Sequence, residues 1–329
     1  MPLKPIRRPL AVTALAAAVA VMAAGYTGAA FAQAEKPLRI VVPFAPGGAQ
    51  DVIARLLGAK VSTRLGIPVI VDNKAGAGGI VAADAVAKST DGATVLMATG
   101  GAITVSPHLQ KLPYDPRRDL VAVALVADTP MTIAVRSDSS YKTLADLLKD
   151  AKTQPGKLSY ASTGNGSVSH LTGALLAQAA GVELLHVPYR GAAPALTDLL
   201  GGQVSMIVTS TASIDPMVQS GKARVLGTFT KSQLQELGHP PTVGQASGLP
   251  GMEVPVWVGI MAPTHTPLDR LDRIGAALLE ACMQTDTREA FARAGALATC
   301  GGRAEMEKVV AQDDARWGRV IKTGGIKVD

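Results

Sequence analysis

The sequence predicts an α/β protein with two domains, each built from a sheet flanked by helices. Apolar, β-branched segments alternate with helical patterns along the chain, and this alternation is typical of parallel sheets covered by helices on both faces. Several of the apolar segments end in glycine-rich turns that lead directly into a helix. The length supports two domains, because residues 33–329 are enough for two separate cores.

The first strand-to-helix turn follows the apolar strand Ile40–Val42. Gly47 and Gly48 let the backbone approach a ligand closely, and the helix is expected to begin near Gln50 or Asp51. The first N–H groups of a helix have no intrahelical partner and lie at the positive end of the helix dipole, so such a turn binds anions. The alternative is an ordinary turn without a ligand.

Residues 69–79 and 158–171 repeat the same pattern of strand, glycine turn and helix. The third turn combines hydroxyl groups with glycines, at Ser162, Thr163, Gly164, Gly166 and Ser167. Neither glycine cluster fits a dinucleotide fingerprint or a phosphate-binding P-loop. We therefore expect the three turns to line one polar pocket for a small carboxylate, with no cofactor.

The remaining segments continue the alternation. Further strands are expected at 94–99, 120–136, 184–189, 204–210, 223–230 and 254–263. Further helices are expected at 80–88, 144–152, 169–180 and 193–200, followed by three closing helical stretches that end with 304–321. Two apolar strands, Met131–Val135 and Val256–Met261, are expected to carry the chain between the domains, with the ligand between them. The predicted lobes are residues 33–133 with 256–329, and residues 134–255.

The N-terminal segment has the organisation of a secretory signal peptide. Three cations precede the apolar run Leu10–Ala24, and Ala30–Ala32 follows as a small-x-small cleavage pattern. We expect cleavage near Ala32 and a periplasmic mature protein. The alternative, a membrane anchor, conflicts with the run's length, which is below the ~20 residues of a membrane span. The sequence leaves the Sec and twin-arginine export routes open.

Composition excludes several function classes. Without the leader's three cations the formal net charge falls from +6 to +3, and no basic stripe with interleaved aromatics points to nucleic acid. Only 3% of residues are aromatic, which argues against a sugar-binding cleft. The five histidines are scattered, so no metal site is expected. Cys282 and Cys300 either form a disulfide, which an oxidising compartment allows, or remain two buried thiols.

Six motifs together resemble the solute-binding proteins of tripartite tricarboxylate transporters, also called Bug receptors. The motifs are VVPFAPGG-xx-D-xx-AR (41–55), DNKAGAGG (72–79), YASTGNGS-xx-HL (160–171), HVPYRGAAPAL-x-DLLGGQV (186–204), PPTV (240–243) and W-x-G-xx-AP-xx-TP (257–267). The resemblance implies a type II periplasmic binding fold, in which two lobes close over a carboxylate ligand. It also implies membrane transporter subunits as partners, and we expect a monomer.

The resemblance also implies which residues hold the ligand carboxylate, partly through ordered waters. The matching positions are Phe44, Ala45, Gly47 and Gly48 in the first lobe and Ser162, Thr163, Gly164 and Ser167 in the second. Arg190 is a further candidate, with a solvated arginine as the alternative. Asp51 is expected to steady the first turn, because it would repel an anion.

Departures from the family pattern leave the far end of the ligand open. Gln50 and Gln245 stand where the family often has other residues, and we expect both near that end. Ser106 replaces a common Asn, and Ser205 replaces a frequent Asp, which makes recognition of a ligand ammonium group less obvious. Dicarboxylates, tricarboxylates, acidic amino acids and aromatic acids all fit these residues.

Two other function classes compete with a transport receptor. An exported hydrolase would need an activated nucleophile, and the sequence has neither a G-x-S-x-G elbow nor an evident set of His and carboxylate residues. We therefore expect no enzyme activity. A sensor that passes its bound state to a membrane kinase would use the same closing cleft, and the sequence does not distinguish it from a transport receptor.

Overall fold

The computed structural model describes Met1, residues 35–234 and residues 239–324, so the predicted signal peptide and its cleavage site lie outside the described part. The strands are β1 Leu38–Val42, β2 Val69–Asn73, β3 Thr94–Thr99, β4 Leu120–Asp128, β5 Met131–Arg136, β6 Ser159–Ser162, β7 Leu185–Pro188, β8 Met206–Ser210, β9 Ala223–Thr228, β10 Trp257–Pro263 and β11 Leu297–Gly301. The helices are α1 Ala49–Leu65, α2 Ile80–Ala87, α3 Leu144–Thr153, α4 Val168–Ala180, α5 Ala192–Leu200, α6 Thr211–Gln219, α7 Val243–Ser247, α8 Leu268–Met283, α9 Thr285–Arg293 and α10 Arg303–Gly324.

The strands form two sheets. The first has six strands in the order β11-β4-β10-β3-β1-β2, and the second has five in the order β7-β6-β8-β5-β9. In the first sheet β1 runs parallel to β2 and β3, while β10 runs antiparallel to β3 and β4. In the second sheet β6 runs parallel to β7 and β8, while β5 runs antiparallel to β8 and β9. Both sheets are therefore mixed, and the expectation of parallel sheets was wrong for these antiparallel strands.

Two of the antiparallel strands, β5 and β10, carry the chain between the sheets. The apolar run 120–136, predicted as buried strands, forms β4 in the first sheet and β5 in the second, and only Thr129 and Pro130 separate the two. The chain returns through β10. The limits of the two lobes remain a prediction.

Apolar side chains bury both faces of each sheet. One cluster packs α1 and α8 on the first sheet around Ile40, Leu57 and Leu278, and another packs under the second sheet around Ile133 and Leu171. Trp257 and Trp317 are buried in core clusters.

Helix ends follow local capping chemistry. The side chain of Thr143 accepts from the Asp146 amide at the start of α3, and Asp146 in turn accepts from the Thr143 amide. Helix α1 ends at Gly66, whose φ of 69° lies in the left-handed region.

The end of the chain contains a strand that the sequence patterns did not indicate. Strand β11 lies between α9 and α10 and pairs antiparallel with β4. Cys300 lies on this strand and is joined by a disulfide to Cys282 on α8, with the two Cα atoms 5.6 Å apart. Among the described residues, no helix combines the length and the hydropathy that crossing a membrane requires.

Candidate functional site

The first glycine turn is held in shape by a buried carboxylate. Asp51 accepts hydrogen bonds from the Gly47 amide at 3.0 Å, from Arg55 at 2.9 Å and from the Asn73 side-chain amide at 3.0 Å. Burial alone would raise the pKa of Asp51, but these hydrogen bonds outweigh burial and lower the pKa. Asp51 therefore stays ionised and steadies the turn, as the sequence predicted.

The third turn, residues 163–167, is held by hydroxyl groups. Ser167 caps helix α4: its Oγ accepts from the His170 amide at 3.2 Å and donates to the Gly164 carbonyl at 2.7 Å. The Thr163 amide donates to Ser169 Oγ at 2.8 Å, and Ser169 Oγ lies 3.1 Å from Ser167 Oγ. The turn thus presents ordered hydroxyls at the N-terminus of α4.

These two turns face each other across a small cavity of about 30 Å³. Its lining combines hydroxyl, glycine and apolar residues, namely Phe44, Gly48, Gln50, Thr99, Met131, Thr163, Ser167, Val168, Ser169, Ala192, Thr209, Ser210, Ser213 and Val256. None of these residues carries a charged side chain. A buried water needs about 10–15 Å³, so in this closed arrangement the cavity holds little more than a water or two.

Four helix N-termini converge on the cavity. Its lining includes the N-cap residues Gly48 of α1, Ser167 of α4 and Ser210 of α6, together with Ala192, the first residue of α5. Each N-terminus carries roughly half a positive charge on its free amides. The cavity is therefore electropositive without a cationic side chain.

One hydroxyl in the cavity wall has no partner among the described residues. Thr209 is fully buried, and its Oγ1 makes no hydrogen bond. The nearby hydroxyls are paired: Ser213 Oγ lies 2.9 Å from Ser210 Oγ and accepts from the Ala49 amide at 3.4 Å. Since a buried hydroxyl without a partner is unfavourable, Thr209 is a ready donor for an anion in the cavity.

Half of the predicted site residues line the cavity: Phe44, Gly48, Gln50, Thr163 and Ser167. The others lie beside it. The Ala45 amide donates to the carbonyl of Arg190 at 3.2 Å, which joins the two sides of the cleft, and the Arg190 side chain is exposed. Gly47 is exposed and its amide is occupied by Asp51. The Ser162 hydroxyl turns away to His186, at 2.6 Å from Nε2.

The second glycine turn does not line the cavity, contrary to the expectation of three lining turns. It packs backbone to backbone against the third turn, where a Cβ on Gly78 would lie 2.3 Å from the Asn165 carbonyl oxygen. A Cβ on Gly164 would likewise lie 3.2 Å from the Gly78 amide nitrogen. The second turn therefore closes the side of the cleft.

The expectation for Gln245 was wrong. Its side chain accepts from the Thr242 amide at 3.1 Å, which forms a capping box at the start of α7, and it does not line the cavity.

The sequence patterns missed the turn from β8 into α6, which supplies Thr209, Ser210 and Ser213. This turn has no glycine. The signal that could have found it is a run of hydroxyl residues directly after a buried strand.

Larger cavities lie on the surface. One of about 1100 Å³ runs between α1 and α8, but its cationic side chains already form ion pairs with carboxylates, as Arg64 does with Glu280 at 2.6 Å. Among the described residues, no three His, Cys, Asp or Glu side chains are grouped as metal ligands. The convergent amides and hydroxyls therefore favour the small interlobe cavity as the candidate ligand site.

Comparison with known proteins agrees with this geometry. Residues 53–326 match the family model described as "Tripartite tricarboxylate transporter family receptor". The "UPF0065 protein in tcbD-tcbE intergenic region" of Pseudomonas sp. (strain P51) is 41% identical over 288 residues, which cover 87% of this chain and 85% of that protein.

Three solved structures share the fold. The periplasmic binding protein BugD is 34% identical with a TM-score of 0.85, covering 89% of this chain and 99% of its own. The R. palustris protein Rpa4515 with adipate is 32% identical with a TM-score of 0.85, covering 90% and 99%. MatC from Rhodopseudomonas palustris with bound malate is 31% identical with a TM-score of 0.83, covering 87% and 98%. The chain therefore belongs to the tripartite tricarboxylate transporter receptor family and has its two-lobed periplasmic binding fold.

Proposed function

We propose that this protein is a monomeric periplasmic receptor that captures a small carboxylate and delivers it to the membrane subunits of a tripartite transporter. We further propose that it is exported with cleavage near Ala32, which the intact mass of the exported protein tests. The observation that carries the proposal is the convergence of four helix N-termini on a cavity without charged side chains. The adipate and malate in two related structures support a carboxylate ligand.

The same electrostatics narrows the ligand class. An ammonium group in the cavity would face positive helix ends, and none of the lining residues offers it a carboxylate. We therefore expect acids without an amino group, such as succinate, to bind better than amino acids of the same length, such as aspartate. Phe44, Met131 and Val256 supply apolar surface for the carbon chain.

Binding requires the lobes to separate, because a cavity of about 30 Å³ is smaller than any dicarboxylate. The first link between the sheets is short, since only Thr129 and Pro130 separate β4 from β5. The Thr129 amide donates to the Val256 carbonyl at 2.8 Å, and the Val256 amide donates to Asp128 at 3.0 Å. These crossed bonds tie the two links into one hinge, and Val256 also lines the cavity.

The geometry of the Ser162–His186 pair near the cleft argues against a hydrolase. Ser162 Oγ lies 2.6 Å from His186 Nε2, but Ser162 is fully buried and does not line the cavity. Burial and the neighbouring His170 lower the pKa of His186 to about 3. A general base works best with a pKa near the operating pH, so this imidazole is too weak a base to activate a serine.

The test is calorimetry with adipate, malate, succinate, aspartate and the diamide of succinic acid. We expect at least one acid to bind, its amide not to bind, and succinate to exceed aspartate. Thr209→Val removes the unpartnered hydroxyl, so it should weaken binding of the best acid about tenfold while leaving the melting temperature unchanged or slightly higher.

Thr132→Val is the matched control. Thr132 lies beside Thr209 on β5, its hydroxyl donates to the Thr209 carbonyl at 3.1 Å, and it does not line the cavity. The Thr132→Val protein should be less stable than the wild type and should bind the best acid with wild-type affinity. Equal affinity for an acid and its amide, or no binding by any acid in the panel, would contradict the proposed site.

Delivery to a transporter is tested in cells. Deleting the gene should abolish uptake of the labelled acid that the purified protein binds. Unchanged uptake together with a lost transcriptional response to that acid would instead support the sensor role.

A further inference from the structure

Two imidazoles lie stacked beneath the third turn. The rings of His170 on α4 and His186 on β7 are 3.9 Å apart with an angle of 8° between their planes. The ring of Tyr160 on β6 stacks on His186 at 4.9 Å. Neither histidine lines the cavity, so neither is accounted for by ligand contact.

Each imidazole holds one glycine of the turn. His170 Nδ1 accepts a hydrogen bond from the Gly166 amide at 3.2 Å, and the His170 amide donates back to Ser167 Oγ. This arrangement resembles a capping box, with an imidazole in place of the usual carboxylate or amide and with Gly166, the residue before the N-cap Ser167, as its donor. His186 acts through Ser162, whose hydroxyl is 2.6 Å from Nε2 and accepts from the Gly164 amide at 3.2 Å.

The bonds of His170 and His186 fix the backbone between β6 and α4. Gly164 and Gly166 have φ values of 133° and 70°, conformations that only glycine adopts readily. Thr163, directly before Gly164, and Ser167, directly after Gly166, both line the cavity. A shift of either glycine would therefore move the hydroxyls that face the ligand.

We propose that His170 and His186 are positioning residues for ligand binding, and that they hold the third turn only as a neutral pair. The inference rests on the proposed function for its effect on affinity. Its effect on the turn itself does not depend on any ligand.

The requirement for neutrality follows from the geometry. A protonated His170 would place an N–H at Nδ1 against the Gly166 N–H, and two donors cannot bond to each other. Two imidazolium rings 3.9 Å apart would also repel.

The pKa values agree with a neutral pair. Burial lowers the pKa of His170 to about 4, and burial together with the His170 charge lowers that of His186 to about 3. The titratable groups that face the pair from the described elements are the two imidazoles themselves and the phenol of Tyr160, whose pKa burial raises. No carboxylate contributes to the pKa of either histidine among the described residues.

The experiment compares two substitutions of His170. His170→Asn places an amide oxygen where Nδ1 was, so it keeps an acceptor for the Gly166 amide, whereas His170→Leu has similar bulk and no acceptor. Thr172→Val on the same helix is the matched control, since Thr172 is fully buried and bonds only within α4.

The first measurement is hydrogen exchange of the Gly166 amide by NMR in the protein without added acid. We expect protection in the wild type, His170→Asn and Thr172→Val, and at least tenfold faster exchange in His170→Leu. In the wild type this protection should disappear as the pH falls through about 4, the pKa of His170. Equal protection in all four proteins would overturn the positioning role, whatever ligand the protein binds.

The second measurement is calorimetry with malate and adipate as probes. His170→Leu should bind the better probe at least tenfold more weakly, and His170→Asn should stay within about threefold of the wild type. If exchange follows the expected pattern but neither probe binds the wild type, the proposed function fails and the positioning of the turn stands. If the probe binds and His170→Leu retains wild-type affinity, the proposed link between the pair and the ligand is wrong.

Discussion

At Gly78, adding a single methyl group should hinder closure of the cleft while the protein still folds. It lies in the second glycine turn with a φ of 63°, and the position of its missing Cβ is 2.3 Å from the Asn165 carbonyl oxygen and 3.0 Å from the Ser167 amide nitrogen. Both neighbours belong to the third turn and are backbone atoms, which cannot rotate away. Gly78→Ala should therefore force the two turns apart.

The size of the effect follows from two separate terms. An alanine held in the left-handed region costs about 1 kcal/mol in the folded protein, whether the cleft is open or closed. Relieving a 2.3 Å contact needs a shift of roughly 1 Å, and overpacking of this kind typically costs about 1–3 kcal/mol. Opening the cleft relieves the overpacking cost but not the backbone cost. The overpacking cost should therefore appear as a loss of affinity of about five- to 150-fold.

Gly92→Ala is the matched control. Gly92 has a φ of 66°, and a Cβ there meets no atom within 4 Å. Both variants should lose a similar amount of thermal stability, and only Gly78→Ala should lose affinity for the best acid by calorimetry. If the two variants bind that acid equally well, the second and third turns do not need to meet for binding.

Three further predictions address the hinge, the cavity and the disulfide. Burial raises the pKa of Asp128 to about 6, above its unfolded value of 3.8, so ionisation of Asp128 destabilises the fold as the pH rises from 3.8 through 6. Asp128→Asn should therefore increase the free energy of unfolding by up to about 3 kcal/mol at pH 8 and by little at pH 4, measured by urea unfolding. Gly48→Val should abolish binding without lowering the melting temperature, because a Cβ there lies 3.7 Å from its nearest neighbour and the added methyl groups fill the cavity. Replacing Cys282 and Cys300 by serine should lower stability by about 3 kcal/mol and leave affinity unchanged, since neither lines the cavity; a loss of affinity would show that α8 and β11 influence the cleft.

The parts of the site that could be predicted from the sequence are those set by local chemistry. A strand, a glycine turn and a polar N-cap lie within a few residues of one another, so the turns at Gly48 and Ser167 were recognisable as anion sites. The stabilising role of Asp51 is local in the same way, because two of its partners, the Gly47 amide and Arg55, lie within one helical turn of it.

The rest depends on contacts between distant segments. That Gly78 meets Asn165 is a consequence of how two lobes approach, and no local pattern carries it. The crossing at Met131–Val135 was predicted, but the antiparallel direction of β5 was not, because buried strands have the same composition in either direction. Gln245 was misplaced because a glutamine three residues into a helix serves a cap as readily as a ligand.

The hydroxyl pairs in the cavity wall have a property that charged side chains lack. Ser210 with Ser213, and Ser169 with Thr163, lie 2.9 and 3.0 Å apart, and in each pair either oxygen can be the donor. Rotation of both hydroxyls about their C–O bonds therefore reverses the direction of the pair without moving any heavy atom. The wall can present a proton to a carboxylate oxygen or a lone pair to a ligand hydroxyl, so one rigid scaffold can accommodate hydroxylated and plain acids without redesign of its backbone.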